Sequence, residues 1–556
     1  MVNRRAAAVA AASAVALTLA SCASSDRDSE SKGSGDKGGG GGTLTFGAAG
    51  APATFDPFYA SDGETFRITR QITEGLVGFK PGTPDLAPEL ATKWTPSKDG
   101  KTWVFDLREG VKFSDGTKFD ADAVCKNFER MFDQNAAGQT ASNYWVDNMG
   151  GYKSKDAKSA LYQGCTAKSA NQVEIKLLRS TSRFPALLGL PSFSMQSPTA
   201  MDKYKANDIK AQGDGFTYSD YANKHVTGTG PFKFDSYDEA NKTVTLVRNE
   251  DYYGDKAKIA KLVFKIIPNE TSRKQALQAG TIDGYDLPNP VDWPQLKKKF
   301  NLEIRDPFNI LYLGFNAKVN PDLKDLKVRQ ALAYGINRAQ FVKTQLPEGA
   351  EVANQWYPDT VDGYNKDATK YDYNPTKAKA LLKEAGKAGL KIKLWYPSEV
   401  SRPYMPDPQK VFQAVKSDWE KIGVKVEPVT KPWNGGYITS TDNGQAEAFF
   451  LGWTGDYNTP DNFIANFFGS PAGGFQPLAL PNGAEMVKRI GDADGIVDKG
   501  QRTAAYKKLG GDLMSKYMPG VPISHSPPAI VFTKAVTGVV PSPLTSEDFS
   551  TAVIEK

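Results

Sequence analysis

Val173–Leu177 alternates apolar and polar side chains and predicts a strand with one buried face. Thr43–Phe46, Trp103–Leu107 and Lys261–Ile267 read as further strands, and Ser114-Asp115-Gly116 supplies a turn. Asp120–Phe132 has helical spacing, with Val124, Phe128 and Met131 or Phe132 on one face. A helix follows the Lys261–Ile267 strand, capped by Asn269 or Thr271 and ended by Gly280. Asp325 caps a helix running through Val328, Leu332 and Ile336. Asn374-Pro375 opens another with Pro at its first position, and Gly386 closes it. Trp395 lies in a strand, Val411–Lys421 in a helix and Val424–Val426 in a strand. This succession predicts an α/β fold of mixed sheets covered by helices.

Length adds that 556 residues exceed one ordinary core, so two or three domains are expected. The net charge of +6 is small for that size, and Lys and Arg are interspersed with Asp and Glu. No basic run points to a nucleic-acid partner.

The N-terminus changes the picture more. Arg4 and Arg5 precede the short apolar run Ala6–Ala20, which is too short to span a membrane. The run ends in Leu19-Ala20-Ser21-Cys22, which resembles the bacterial lipobox. That resemblance implies lipid on Cys22 and cleavage before it, making 1–22 a lipoprotein signal peptide. Residues 23–42, rich in Ser and Gly, read as a flexible tether. The body would then sit outside the cell membrane, anchored to its outer face.

Cys125 and Cys165 are the remaining cysteines. Export makes a disulfide between them the expected state, with free buried thiols as the alternative. Neither a metal site nor a catalytic site is expected. Two Cys lack clustered further ligands, and His225 and His525, the only histidines, stand far apart in sequence. No cofactor is implied.

Several blocks stand in order across the chain: Ile72-Thr73-Glu74-Gly75-Leu76-Val77, Gly228-Thr229-Gly230-Pro231-Phe232, Arg248-Asn249-Glu250-Asp251-Tyr252-Tyr253-Gly254, Tyr312-Leu313-Gly314-Phe315-Asn316 and Tyr371-Asp372-Tyr373-Asn374-Pro375. Together they resemble the extracellular solute-binding proteins of ABC transporters, family 5, the dipeptide-, oligopeptide- and nickel-binding type. Two more look closest to the dipeptide-binding branch: Ser401-Arg402-Pro403-Tyr404-Met405-Pro406 and Gly452-Trp453-Thr454-Gly455-Asp456. The resemblance implies that Asp456 meets the ammonium of a bound peptide and Arg402 its carboxylate. Tyr457-Asn458-Thr459 departs from the branch's pattern, which leaves peptide length open.

Such a pair suits a zwitterion. Each end needs an opposite charge on entering a low-dielectric cleft, and a guanidinium grips a carboxylate in two places. Gly452, Trp453, Thr454 and Tyr404 are the expected neighbours on the same wall. Ser61, Asp62, Gly63, Tyr144 and Trp145 are the candidates for the opposite one.

The resemblance implies a two-lobed periplasmic-binding-protein fold of type II with an extra small domain. Lobe I is expected at 43–80, 225–305 and 521–556, the small domain at 81–224 and lobe III at 306–520, with a hinge near 305 and 520. The implied partners are a short peptide and the ABC permease, with the receptor itself a monomer. Rival ligands are nickel or a metallophore, or an oligosaccharide stacked on Trp356, Trp395, Trp433 and Trp453. A peptide-signal sensor would use the same binding chemistry as an importer's receptor.

Overall fold

The computed structural model describes residues 41–213, 215–471 and 474–555. Cys22, and with it the lipidation site, lies outside them. No helix among the described residues is long and apolar enough to cross a membrane.

Two mixed sheets form the two lobes. The first has seven strands in the order Phe232–Asp238, Thr243–Arg248, Lys261–Ile266, Thr43–Ala48, Gly284–Asp286, Ala529–Phe532 and Asn301–Ile304. Thr43–Ala48 runs parallel to both of its neighbours, while the other pairs are antiparallel. The second has six, in the order Glu351–Val352, Gly520–His525, Asn309–Phe315, Ala448–Thr454, Lys391–Ser398 and Lys425–Pro432. A four-stranded antiparallel sheet of Ala91–Pro96, Thr102–Leu107, Gln172–Leu177 and Tyr162–Ser169 builds the small domain.

Position in the sheet explains the sequence pattern. Lys261–Ile266 buries every second residue. Asn309–Phe315, in the middle of its sheet, is buried along its whole length and reads as a continuous apolar run. Helix ends follow local chemistry. The Asn269 side chain accepts from the Ser272 amide, and Asp325 and Asn374 cap their helices in the same way. The helix expected from Val411 begins earlier, at Pro408, because Asp407 caps it and Pro suits the first turn.

Cys125 on the helix Ala121–Phe132 is joined to Cys165 on the edge strand Tyr162–Ser169, with Cα atoms 5.2 Å apart.

The chain passes between the two large sheets twice, between Ile304 and Asn309 and between His525 and Ala529. The second passage therefore falls a few residues beyond 520. Gly520–His525 belongs to the second lobe because it pairs with Asn309–Phe315, with Gly314 opposite Gly520. A Cβ on Gly520 would lie 2.3 Å from the Leu313 carbonyl oxygen, so only glycine allows this approach. The two passages are bonded to each other. The Asn309 side chain donates to the Ser526 carbonyl at 2.7 Å and accepts from the Ser526 amide at 3.0 Å. His525, fully enclosed, bonds the Asn309 carbonyl through Nδ1 at 2.6 Å, and burial pulls its pKa down to about 4.

Four buried ions surround this hinge. Arg305 donates to Asp286 at 2.7 Å and to Glu547 at 2.7 Å. Arg67 reaches the same two carboxylates, Glu547 at 3.4 Å. Each of the four residues is at most 5% exposed. Two positive and two negative charges cancel inside a low-dielectric region, which is what makes their burial tolerable.

Candidate functional site

The strand Ala448–Thr454 ends beside the hinge and delivers Asp456 to the cleft. Gly455 makes the turn possible: its amide donates to the Phe308 carbonyl at 2.8 Å, and a Cβ there would sit 2.3 Å from the Phe308 ring. Asn462, on the helix Asp461–Phe468, then fixes the loop. Its side-chain oxygen accepts from the Asp456 amide at 2.7 Å and from the Trp453 indole at 3.2 Å. Its Nδ2 lies 3.5 Å from the Asp456 carboxylate.

Across from this carboxylate stands the helix Gly63–Thr69, with Phe66 on it and Arg70 just beyond its end. Tyr144, from the helix Asn143–Met149, packs edge-on against Phe66 with ring centroids 5.5 Å apart. Asp456, Arg70, Tyr144 and Phe66 line one small cavity of about 50 Å³, together with Leu190 and Ser546. A larger one of about 210 Å³ adjoins it, sharing Arg70, Phe79, Leu190 and Ser546.

The opposite charges here face one cavity without forming an ion pair. Burial lifts the Asp456 carboxyl to about pH 6, although Asn462, Arg70 and Tyr144 all act to hold it down. Burial lowers the Arg70 guanidinium to about 10, and the neighbouring Arg67 adds to the effect. The Arg70 guanidinium makes no hydrogen bond or ion pair among the described residues.

Contacts also join the small domain to the second lobe. Thr181 and the Ser182 amide donate to Asp494 at 2.9 and 3.2 Å. Arg183 lies 3.9 Å from Asp461, and Asn458 donates to Asp85 at 3.1 Å. Arg183 and Asp85 thus bind the small domain to the loop and helix that follow Asp456.

Of the residues expected at the ligand, the structure brings Asp456 and Tyr144 together in this cavity. Trp453, half-buried and held by Asn462, and half-buried Thr454 sit on the strand leading to Asp456 but do not line the cavity. Gly452 and Tyr404 pack on each other instead: a Cβ at Gly452 would meet the Tyr404 ring at 2.3 Å, and Tyr404 is buried in the core of lobe III. Arg402 is exposed, in a turn closed with Met405, and its guanidinium lies 4.5 Å over the Trp433 ring rather than in the cavity.

Asp62 is occupied in capping its helix, accepting from the Thr65 amide at 2.9 Å and hydroxyl at 2.7 Å, while Ser61 and Gly63 face solvent. Trp145 does not reach the cleft. It is 1% exposed among Phe58, Phe132, Tyr152, Tyr162 and Phe193, and its indole donates to the Gly151 carbonyl at 2.9 Å. One helical residue turns the side chain by about 100°, so neighbours in sequence face different surroundings.

Trp356 is likewise core, under Phe467 and Phe468. His225 stacks on Tyr204 in lobe I, away from the cavity.

Arg70, Phe66 and Phe79 were not anticipated as site residues. The available signal was the four-residue spacing of Phe66 and Arg70, which puts both on one side of a helix.

The chain resembles characterised binding proteins along nearly its whole length. It is 31% identical over 530 residues to the dipeptide-binding protein of Escherichia coli K12, covering 92% of this chain and 95% of that one. It is 31% identical over 517 residues to heme-binding protein A of Haemophilus influenzae, covering 91% of each. Among solved structures, a periplasmic binding protein from Helicobacter pylori in complex with the peptide STSA superposes with a TM-score of 0.73 at 27% identity, over 93% of this chain and 99% of that one. Residues 85–475 match the model of the bacterial extracellular solute-binding proteins, family 5, and the chain belongs to that family.

Proposed function

We propose that this protein is an extracytoplasmic receptor that captures short peptides between its two lobes and delivers them to an ABC importer. The observation that carries this reading is Asp456, a desolvated carboxylate held by Asn462 and enclosed between the lobes. A carboxylate in such a place suits a ligand's ammonium, because the incoming charge compensates the one already buried. A peptide N-terminus is an ammonium with an apolar chain attached, and Phe66, Phe79 and Leu190 supply apolar walls for that chain.

The heme-binding and dipeptide-binding relatives share this fold, so fold alone does not choose the ligand. The charge in the cavity favours the peptide. Closure of the lobes on a bound ligand would create the shape that a permease reads. Lipid on Cys22 would hold the receptor at the membrane surface.

Isothermal titration calorimetry of the mature protein with a panel of di- and tripeptides tests this. Saturable binding is expected, with the N-acetylated peptides binding far more weakly. Equal binding of free and acetylated peptides would remove Asp456 from the amine-binding role, and binding of none would sink the peptide reading.

A further inference from the structure

We propose that Arg70 is a ligand-contacting residue of the cleft and grips a carboxylate carried by the bound peptide. This rests on the peptide reading and extends it to a second charged contact, on the opposite lobe from Asp456.

The carboxylates around Arg70 already have other donors. Glu547 takes Arg67, Arg305 and the Ser542 amide. Glu74 takes Thr229, Tyr252 and Tyr253, and Glu89 takes the Gly75 amide. Asp548 takes Ser550 through both its amide and hydroxyl. Asp456 takes Asn462 and makes no ion pair with Arg70. What remains is a guanidinium with a planar fork of donors that lines both adjoining cavities and makes no hydrogen bond or ion pair among the described residues.

A half-buried guanidinium with no acid bonded to it keeps its donors free for a ligand, and a ligand carboxylate matches its fork in bidentate fashion. The placement matters as much as the charge. Asp456 comes from the lobe III sheet and Arg70 from the lobe I helix, so a ligand joining them also joins the lobes.

The carboxylate has two possible sources in a peptide, the C-terminus or an acidic side chain. Calorimetry with Ala-Ala, Ala-Ala amide and Glu-Ala amide separates them. For wild type and Arg70→Gln, a loss of about 30-fold confined to Ala-Ala identifies the terminal carboxylate. The same loss confined to Glu-Ala amide identifies a side-chain carboxylate. Arg70→Lys keeps the charge but not the fork, and about a tenfold loss is expected on the same ligand. It also serves if the Gln variant does not fold. A folded variant that binds all three ligands as wild type does would overturn the role of Arg70 while leaving the peptide reading intact. Wild type binding none of them would overturn both.

Discussion

Arg67 and Arg70 stand one helical turn apart on the same short segment, and their surroundings differ completely. Arg67 faces the hinge, where Asp286 and Glu547 receive it and Arg305 completes a neutral group of four. Arg70 faces the cleft, where the acids are engaged elsewhere and Asp456 stands apart from it. Arg67 is buried and Arg70 half-buried. Only the hinge bonds its arginine directly to acids of the chain. Compensated charges of this kind hold a structure together, whereas uncompensated ones define what a ligand must bring.

The hinge side of the comparison should break hardest. Asp286→Asn removes one acid shared by two buried arginines, and unfolding by denaturant should show a loss of about 3–5 kcal/mol at neutral pH. On the cleft side, Asp456→Asn should leave folding stability unreduced while weakening peptide affinity by about 2–5 kcal/mol in calorimetry. A stability loss at Asp456 as large as that at Asp286 would erase the distinction between the two groups.

The pH dependence sharpens the comparison further, because the signs are opposite. Burial would raise the Asp286 carboxyl, but Arg305 and Arg67 outweigh it and hold it below the usual range. Its contribution is therefore present at neutral pH and is lost only as pH falls below about 4. Asp456 ionises near 3.8 when unfolded and near 6 in the ligand-free fold. Between those values the native protein holds a proton that the unfolded chain has released, so this group's contribution falls as pH rises from about 4 to 6. Thermal melts of wild type and Asp456→Asn should diverge over that interval and run parallel above it. Wild-type peptide affinity should rise over the same interval.

Much of the scaffold was legible in the sequence because it is locally determined. Asn269, Asp325 and Asn374 announce their helices, and the alternation around Val263 announces a strand with one buried face. The lobe to which Gly520–His525 belongs was not legible, because its partner strand lies some two hundred residues earlier. At the site, Asp456 was anticipated through family resemblance and Tyr144 as one of an aromatic pair in a polar loop. Arg70 was not, since nothing near it in sequence separates it from Arg67. The difference lies in Asp286, Arg305 and Glu547, which meet only when the fold is complete. Tyr144 and Trp145 make the same point, as one helix presents the first to the cleft and the second to the core.

The reciprocal bonds between Asn309 and Ser526 have a mechanical consequence. Two strands of chain joined edge to edge behave as a single strap. Bending one without the other would pull both bonds apart, whereas turning them together preserves both. Lobe motion that keeps both bonds turns the two passages together, so a ligand that holds them at one angle holds the lobes at one spacing.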